Sequence, residues 1–242
     1  SPDRRRSRPQ MIEAVYYHND AISSSIIVRC VRANIQGNVL ELGAGVGNVT
    51  REISKLAETV VAAEPNKQLF FELKSKTQNL QNVRAIQSDS DQILRDINSR
   101  AQKFDTILYL NVLEHIEDDV AELGRARQLL TDSGKVIIVV PAHMWLYSKI
   151  DGLTGHFRRY SQKTIFQVAS QHFHQVQLLN FDSAGLIPYW LVYKLGKSTK
   201  VSGANAKIYS WVILRLSRIL FIMTRGRLIG KNLIVIAQTP KS

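Results

Sequence analysis

Two hydrophobic periods alternate along the chain. Short apolar runs predict strands near 38–42, 59–63, 82–87, 104–110, 135–140, 174–180 and 231–237. Between them, apolar positions recurring every three or four residues predict helices at about 47–57, 66–77, 91–99, 118–130 and 161–171. The run Val136-Ile137-Ile138-Val139-Val140 is apolar at every position, the pattern of a strand buried on both faces. Strand–helix alternation of this kind implies an α/β fold, a doubly wound, mostly parallel sheet.

Three parts depart from the alternation. Residues 1–10, with Arg4, Arg5, Arg6 and Arg8, read as a disordered basic arm. Residues 11–34 carry apolar spacing (Ile12, Val15, Ile22, Ile26, Ile27, Val31) suited to one or two helices capping the ligand side. Residues 35–242 then form one domain carrying helical and aromatic insertions at 141–160 and 183–228.

Chemistry concentrates at the ends of the predicted strands. Val39-Leu40 runs into Glu41, and Gly43, Gly45 and Gly47 alternate with Ala44 and Val46 before Asn48 opens a helix. Glycine permits positive φ and close approach of a ligand to the backbone, so this strand–loop–helix is a nucleotide-type cradle. A dinucleotide G-x-G-x-x-G would place its third glycine at 48, which is Asn48. The second strand ends at Glu64-Pro65, 23 residues after Glu41, where a carboxylate can accept both hydroxyls of a ribose. Ser88-Asp89-Ser90 follows the third strand, and Asp89 suits the N-cap of the next helix. The fourth runs into Asn111-Val112-Leu113-Glu114-His115-Ile116-Glu117-Asp118.

The pattern E-x-G-x-G-x-G at 41–47 resembles motif I of class I S-adenosylmethionine methyltransferases, and Val112–Asp118 is similar to the VLEHI-D signature of their small-molecule members. The resemblance covers about residues 35–180. It implies a Rossmann-like seven-stranded sheet of order 3-2-1-4-5-7-6, its last strand antiparallel. It further implies S-adenosylmethionine as cofactor and S-adenosylhomocysteine as product. The cofactor would lie against Glu41, Gly43, Ala44, Gly45, Gly47, Asn48, Glu64, Pro65, Ser88, Asp89, Ser90, Asn111, Val112 and Leu113, with Asp89 receiving the adenine amino group as an equal alternative to capping. No metal is expected, because no Cys/His cluster has ligand spacing.

Methyl transfer needs an acceptor held in line and, for a protic acceptor, a base. His115 and His156 are the candidate bases, each weighed against a purely structural role. The stretch Trp145, Tyr147, Asp151, Gly155-His156-Phe157-Arg158-Arg159-Tyr160 resembles a segment of bacterial methyltransferases from glycan and natural-product pathways. His143, Trp145, Tyr147, Arg158, Arg159, Tyr160, Tyr189 and Trp190 are the candidate acceptor residues. Arg158 or Arg159 could grip an anion, or equally an arginine could pair with an acid such as Asp151 and anchor the next helix.

Charge adds one asymmetry. The net charge is +12, yet residues 183–242 contain ten Lys/Arg and no acid, leaving +2 on the rest. Residues 207–223 are apolar and interrupted by Lys207, Arg215 and Arg218; a lid, a dimer face and an anionic membrane surface all fit them. The single cysteine, Cys30, excludes an internal disulfide and points to a reducing, cytoplasmic setting, with peripheral membrane contact left open. The expected partner is a small or carrier-linked acceptor, anionic or amphipathic, and the expected state a monomer or homodimer. An RNA-directed methyltransferase is the alternative, since basic charge attracts phosphate, but the basic segment is too apolar for a solvated nucleic-acid face. A non-catalytic module that only binds S-adenosylmethionine is the second alternative, opposed by the intact Glu41, glycines and Glu64.

Overall fold

The computed structural model describes residues 21–98, 102–196 and 209–239. The expected arm at 1–10, residues 11–20 of the expected cap and residues 197–208 of the second insertion lie outside them. Seven strands form one sheet: β1 (Asn38–Leu42), β2 (Thr59–Ala63), β3 (Val83–Ile86), β4 (Phe104–Leu110), β5 (Leu130–Pro141), β6 (Gln175–Phe181) and β7 (Asn232–Gln238). Their order is β3-β2-β1-β4-β5-β7-β6. The first five pair in parallel, and β7 runs antiparallel to both neighbours. The resemblance anticipated this arrangement.

Alternate residues of each strand supply the two faces. Leu40, Leu42, Ile107, Tyr109, Val136 and Ile138 belong to one buried cluster. Val39, Leu108, Ile137 and Val139 belong to the other. Burial on both sides is why these strands read as continuous apolar runs. The helices covering them are α1 (Ala21–Val31), α2 (Asn48–Ile53), α3 (Lys67–Thr77), α4 (Ser90–Asn98), α5 (Asp119–Leu129), α6 (Lys149–Thr154) and α7 (Gln162–Ala169). Several start where a side chain caps free backbone N–H groups. Asn66 accepts from the amides of Gln68 and Leu69, and Asp118 from that of Ala121.

Two boundaries differ from the expectation by more than two residues. Helix α2 stops at Ile53 rather than near 57, because the Asn82 side-chain amide donates to the carbonyls of Ser54 and Ala57 and turns the chain toward β2. Strand β5 begins at Leu130 rather than 135, with a register shift opposite Phe104 and Thr106.

The second insertion opens with α8 (Leu186–Tyr189), continued by a π-helical turn at Trp190–Leu195. After the gap, a π-turn at Tyr209–Ile213 feeds α9 (Leu214–Thr224). Asp182, 1% exposed, ties this excursion together. Its carboxylate accepts from the Gly185 amide and the Ser217 hydroxyl and pairs with Lys231 at 3.1 Å.

Strands β1 and β4 are neighbours whose following chains leave in opposite directions, the switch point at which open α/β sheets bind ligands. There, Gly43 has φ +69°, and a Cβ on it would lie 2.5 Å from Val112 Cγ2. We expect Gly43→Ala to cost about 2–4 kcal/mol, from left-handed strain plus overpacking. Val112→Ala in that background should recover the packing part, as measured by urea unfolding.

Candidate active site

The glycine loop is held from both sides by buried acids. Gly43, Gly45 and Gly47 all have positive φ. Gly47, at φ +84°, is the N-cap of α2. Glu64 reaches back across the loop: its Oε2 accepts from the Gly45 amide at 2.9 Å and its Oε1 from the Asn66 amide at 2.9 Å. Glu41 accepts from the Thr50 hydroxyl at 2.6 Å. Burial first, and then the nearby Glu64 charge, push the Glu41 carboxyl up to about 8 despite the Thr50 bond. The buried Glu64 carboxylate beside a loop of close-approach backbone favours a cationic ligand bearing vicinal hydroxyls, and a cation beside Glu41 would favour its ionised form. Of the other residues expected around a cofactor, Pro65 is exposed, Ser88 is buried, and Asn111 is exposed with φ 56°. Leu113 is buried, while Val112 packs against Gly43.

Asp89 makes the capping contact and is exposed. Its Oδ1 accepts from the Gln92 amide at the start of α4. Ser90 turns inward instead, donating to Glu122 at 2.7 Å, which also accepts from Tyr109 and Arg125. Ser90 is therefore part of a buried network between α4, β4 and α5.

The first insertion folds back over the end of β4. Tyr160 donates its amide to Pro141, His143 donates to Tyr160, and Phe157 donates to the Glu114 carbonyl at 2.9 Å. This brings His156 beside His115, ring centroids 4.7 Å apart and edge to face. Asp151 orients His156: its Oδ1 accepts from His156 Nδ1 at 2.9 Å. That bond leaves Nε2 as the lone-pair nitrogen, and it lies 3.9 Å from Glu114 Oε1. Glu114 is 1% exposed, and among the described residues no other residue hydrogen-bonds either of its carboxylate oxygens. Burial raises its carboxyl to about 8. Ligand atoms of Glu114, His115 and His156 lie within 4.8 Å of one another, so a divalent ion could be held there. The sequence reading had expected no metal and had not singled out Glu114. Its signal was adjacency to His115 within the signature.

Both arginines answer to acids. Arg159, 6% exposed, donates to Asp151 at 2.8 Å and to the Ala142 carbonyl and Tyr189 hydroxyl. Burial pushes Asp151 up, but the His156 and Arg159 bonds outweigh it and hold the carboxyl well below the usual range. Arg158 donates to Asp119 at 2.9 Å and to the Glu117 carbonyl. Both guanidinium groups thus make the anchoring contacts that the sequence offered as one alternative, Arg159 buried and Arg158 partly exposed. Tyr160, expected on the acceptor side, is 1% exposed, and its hydroxyl donates to Asp119 at 2.7 Å. Tyr189, 5% exposed, donates to Asp151 at 3.0 Å, so it belongs to the same buried network rather than to a pocket wall. His143 bonds the Gly230 carbonyl, and Tyr147 donates to the His156 carbonyl. Trp145 and Trp190 are exposed. Cys30 is a half-buried packing residue, its thiol pushed up to about 11 by burial.

Comparison with known proteins bears on the family and the fold. Residues 18–186 match a family described as a methyltransferase domain. A stretch of 74 residues is 36% identical to Ribosomal RNA small subunit methyltransferase A of Clostridioides difficile (strain 630), covering 29% of this chain and 26% of that protein. The chain therefore spans only about a quarter of that relative's length. A SAM-dependent methyltransferase from Archaeoglobus fulgidus has a similar structure, with a TM-score of 0.61 at 15% identity over 96% of this chain and 100% of that one. The plantazolicin methyltransferase BamL, solved with a triazolic desmethylPZN analog and SAH, gives a TM-score of 0.60 at 14% identity over 97% and 92%. At these identities the structural likeness shows the fold.

Glu41 and Glu114 each have a folded-state value of about 8 against an ordinary 4.5. Between those values the folded chain holds protons that the unfolded chain has lost, so stability falls as pH rises from about 4.5 to 8. Urea unfolding of the ligand-free protein across this range should show that decline, and Glu41→Gln and Glu114→Gln should each flatten it.

Proposed function

Because the chain belongs to the methyltransferase-domain family, we propose that it moves the methyl group of S-adenosylmethionine to an oxygen of a small or medium-sized acceptor, anionic or amphipathic in character. The observation that carries this reading is the junction at the switch point. A three-glycine loop held by Glu64 stands next to a strand end bearing His115 and, folded over it, His156. The residues fit the cofactor: Glu64 suits a ribose, and Glu41 and Glu64 suit a ligand carrying sulfonium and ammonium charge. S-adenosylmethionine supplies an electrophilic methyl group, so this chain needs neither a covalent nucleophile nor a redox centre. Its own task is to exclude water, align the acceptor and take a proton.

His156 is the favoured base. Asp151 fixes its tautomer as a second carboxylate-held group would in other acid–base sites, and its Nε2 faces the end of β4. His115 packs edge-on against it and completes the wall. With Arg158 and Arg159 engaged by Asp119 and Asp151, recognition of an anionic acceptor falls to other cations. A second reading is favoured by Glu114, whose two oxygens lack a partner from any other described residue: Glu114, His115 and His156 would hold a divalent ion, which would supply Lewis-acid polarisation of the acceptor oxygen. Chelation separates the two. Loss of activity restored by manganese or zinc supports the ion, and an unaffected rate returns the proton to His156.

Calorimetry should show S-adenosylmethionine binding to the wild-type chain and none to Gly45→Arg, whose side chain would enter the loop. Glu64→Ala should weaken binding by about 1–3 kcal/mol. His156→Asn should bind the cofactor normally while lowering the rate about 100-fold or more. The rate is read as labelled methyl incorporated from a metabolite panel that also contains RNA. Absence of binding by the wild-type chain would overturn the cofactor assignment, and incorporation into RNA alone would overturn the acceptor class.

A further inference from the structure

The large exposed apolar side chains of this protein are unevenly placed. Of 20 among the described residues, 13 lie between Ile187 and Ile229, within the second insertion and its exit. Helix α9 shows why this needs an explanation. Its inward side is formed by Leu214, Ser217 and Phe221, which pack with α1 and β6 or bond Asp182. Its outward side carries Leu216, Ile219, Ile222 and Met223, which are 46%, 53%, 60% and 75% exposed. An ordinary surface helix is polar on that side, and a helix apolar all round is normally covered. Along the first limb, Ile187, Leu191 and Leu195 recur at every fourth position and are 65%, 50% and 56% exposed.

The charges interleaved with these side chains have one sign. Residues 183–242 contain no Asp or Glu. Arg215 stacks over the exposed Trp211 ring at 4.4 Å. Met223, Arg225, Arg227 and Leu228 line one surface hollow, so guanidinium groups border the apolar patch. Among the described residues no helix is long and apolar enough to cross a membrane.

We propose that the face formed by α9 and its flanks docks on the surface of a bilayer containing anionic phospholipid, with Leu216, Ile219, Ile222 and Met223 entering the acyl boundary and the flanking arginines meeting headgroup phosphates. Charge decides the occupant. A second copy of the chain would bring like charges together across the contact, with no acid in the insertion to neutralise them. A nucleic acid would satisfy the arginines but leave the isoleucines and methionine against a charged backbone. An anionic bilayer offers both partners at the depth such a helix reaches. Tyr189, at the start of the insertion, bonds the Asp151 that orients His156, and Lys194 donates to the Tyr147 carbonyl at 2.7 Å. The docking face is thus tied to the acceptor side of the candidate site. The proposal does not depend on the identity of the acceptor or on methyl transfer itself.

The test is flotation of the full chain with phosphatidylcholine vesicles, with and without phosphatidylglycerol, at low and high salt. Binding should require phosphatidylglycerol and fall at least about tenfold in high salt. Ile219→Asp combined with Met223→Asp should abolish it, and Arg225→Gln combined with Arg227→Gln should weaken it about tenfold or more. These side chains are exposed, so melting temperature and S-adenosylmethionine affinity should be unchanged in both variants, which separates failed docking from failed folding or a failed cofactor site. No flotation, flotation indifferent to phosphatidylglycerol, or flotation retained by the aspartate variant would overturn the proposal. So would a wild-type dimer in analytical ultracentrifugation that the aspartate variant dissolves, since it would assign the face to a second copy.

Discussion

The close approach of two loops at the centre of the sheet is the constraint on which the rest depends. Strands β1 and β4 pair in parallel, Leu42 opposite Tyr109, and the chain leaves them side by side at their carboxyl ends. Gly43, the first residue after β1, and Val112, the second after β4, come so close that no Cβ fits between them. Gly43 therefore does two jobs: it permits the left-handed turn into the cradle, and it lets the signature after β4 close against that cradle. Glu64, at the end of β2, clamps the same loop by accepting from Gly45. The loops after three adjacent strands become one rigid rim, and a rigid rim is what in-line transfer demands.

Asp151 plays the corresponding part on the acceptor side. It takes hydrogen bonds from His156, Arg159, Tyr189 and Ser148, and it is 1% exposed. A buried carboxylate with so many donors is stable only when they are all present. The first insertion and the start of the second are consequently fixed relative to each other by a single anion, which couples the orientation of His156 to the seat of the apolar, basic excursion. The contrast with Glu114 is instructive: 1% exposed as well, it has no donor from any other described residue at either oxygen and a raised value in place of a depressed one. One acid holds structure, and the other keeps its own proton up to about pH 8.

Much of the fold was legible because its determinants are local. Strand limits at 38–42, 59–63 and 104–110 follow from apolar runs bounded by turn residues, and the structure places β1, β2 and β4 at those limits. The glycines announced the cradle because positive φ is a property of single residues. Asp89 illustrates the boundary of that legibility. Its sequence context admitted capping or adenine recognition, and the geometry adds the capping bond to the Gln92 amide. The arginines illustrate it too, since the sequence offered an anion grip and pairing with an acid such as Asp151 as equal alternatives. Arg158-Arg159 has the composition of an anion grip, yet Arg158 finds Asp119, 39 residues away, and Arg159 finds Asp151 and Tyr189.

The amino-acid sequence by itself determined the alternation of strands and helices, the family to which the chain belongs, and the lopsided charge, since each is written in residue type and spacing along the backbone. Only the tertiary structure decided which acids are partnered, which tyrosines are buried, that Glu114 joins His115 and His156, and that α9 turns an apolar side outward. Those outcomes depend on which distant segments share a volume, and a polar side chain's chemistry is set by the neighbours that desolvate and bond it more than by its own identity.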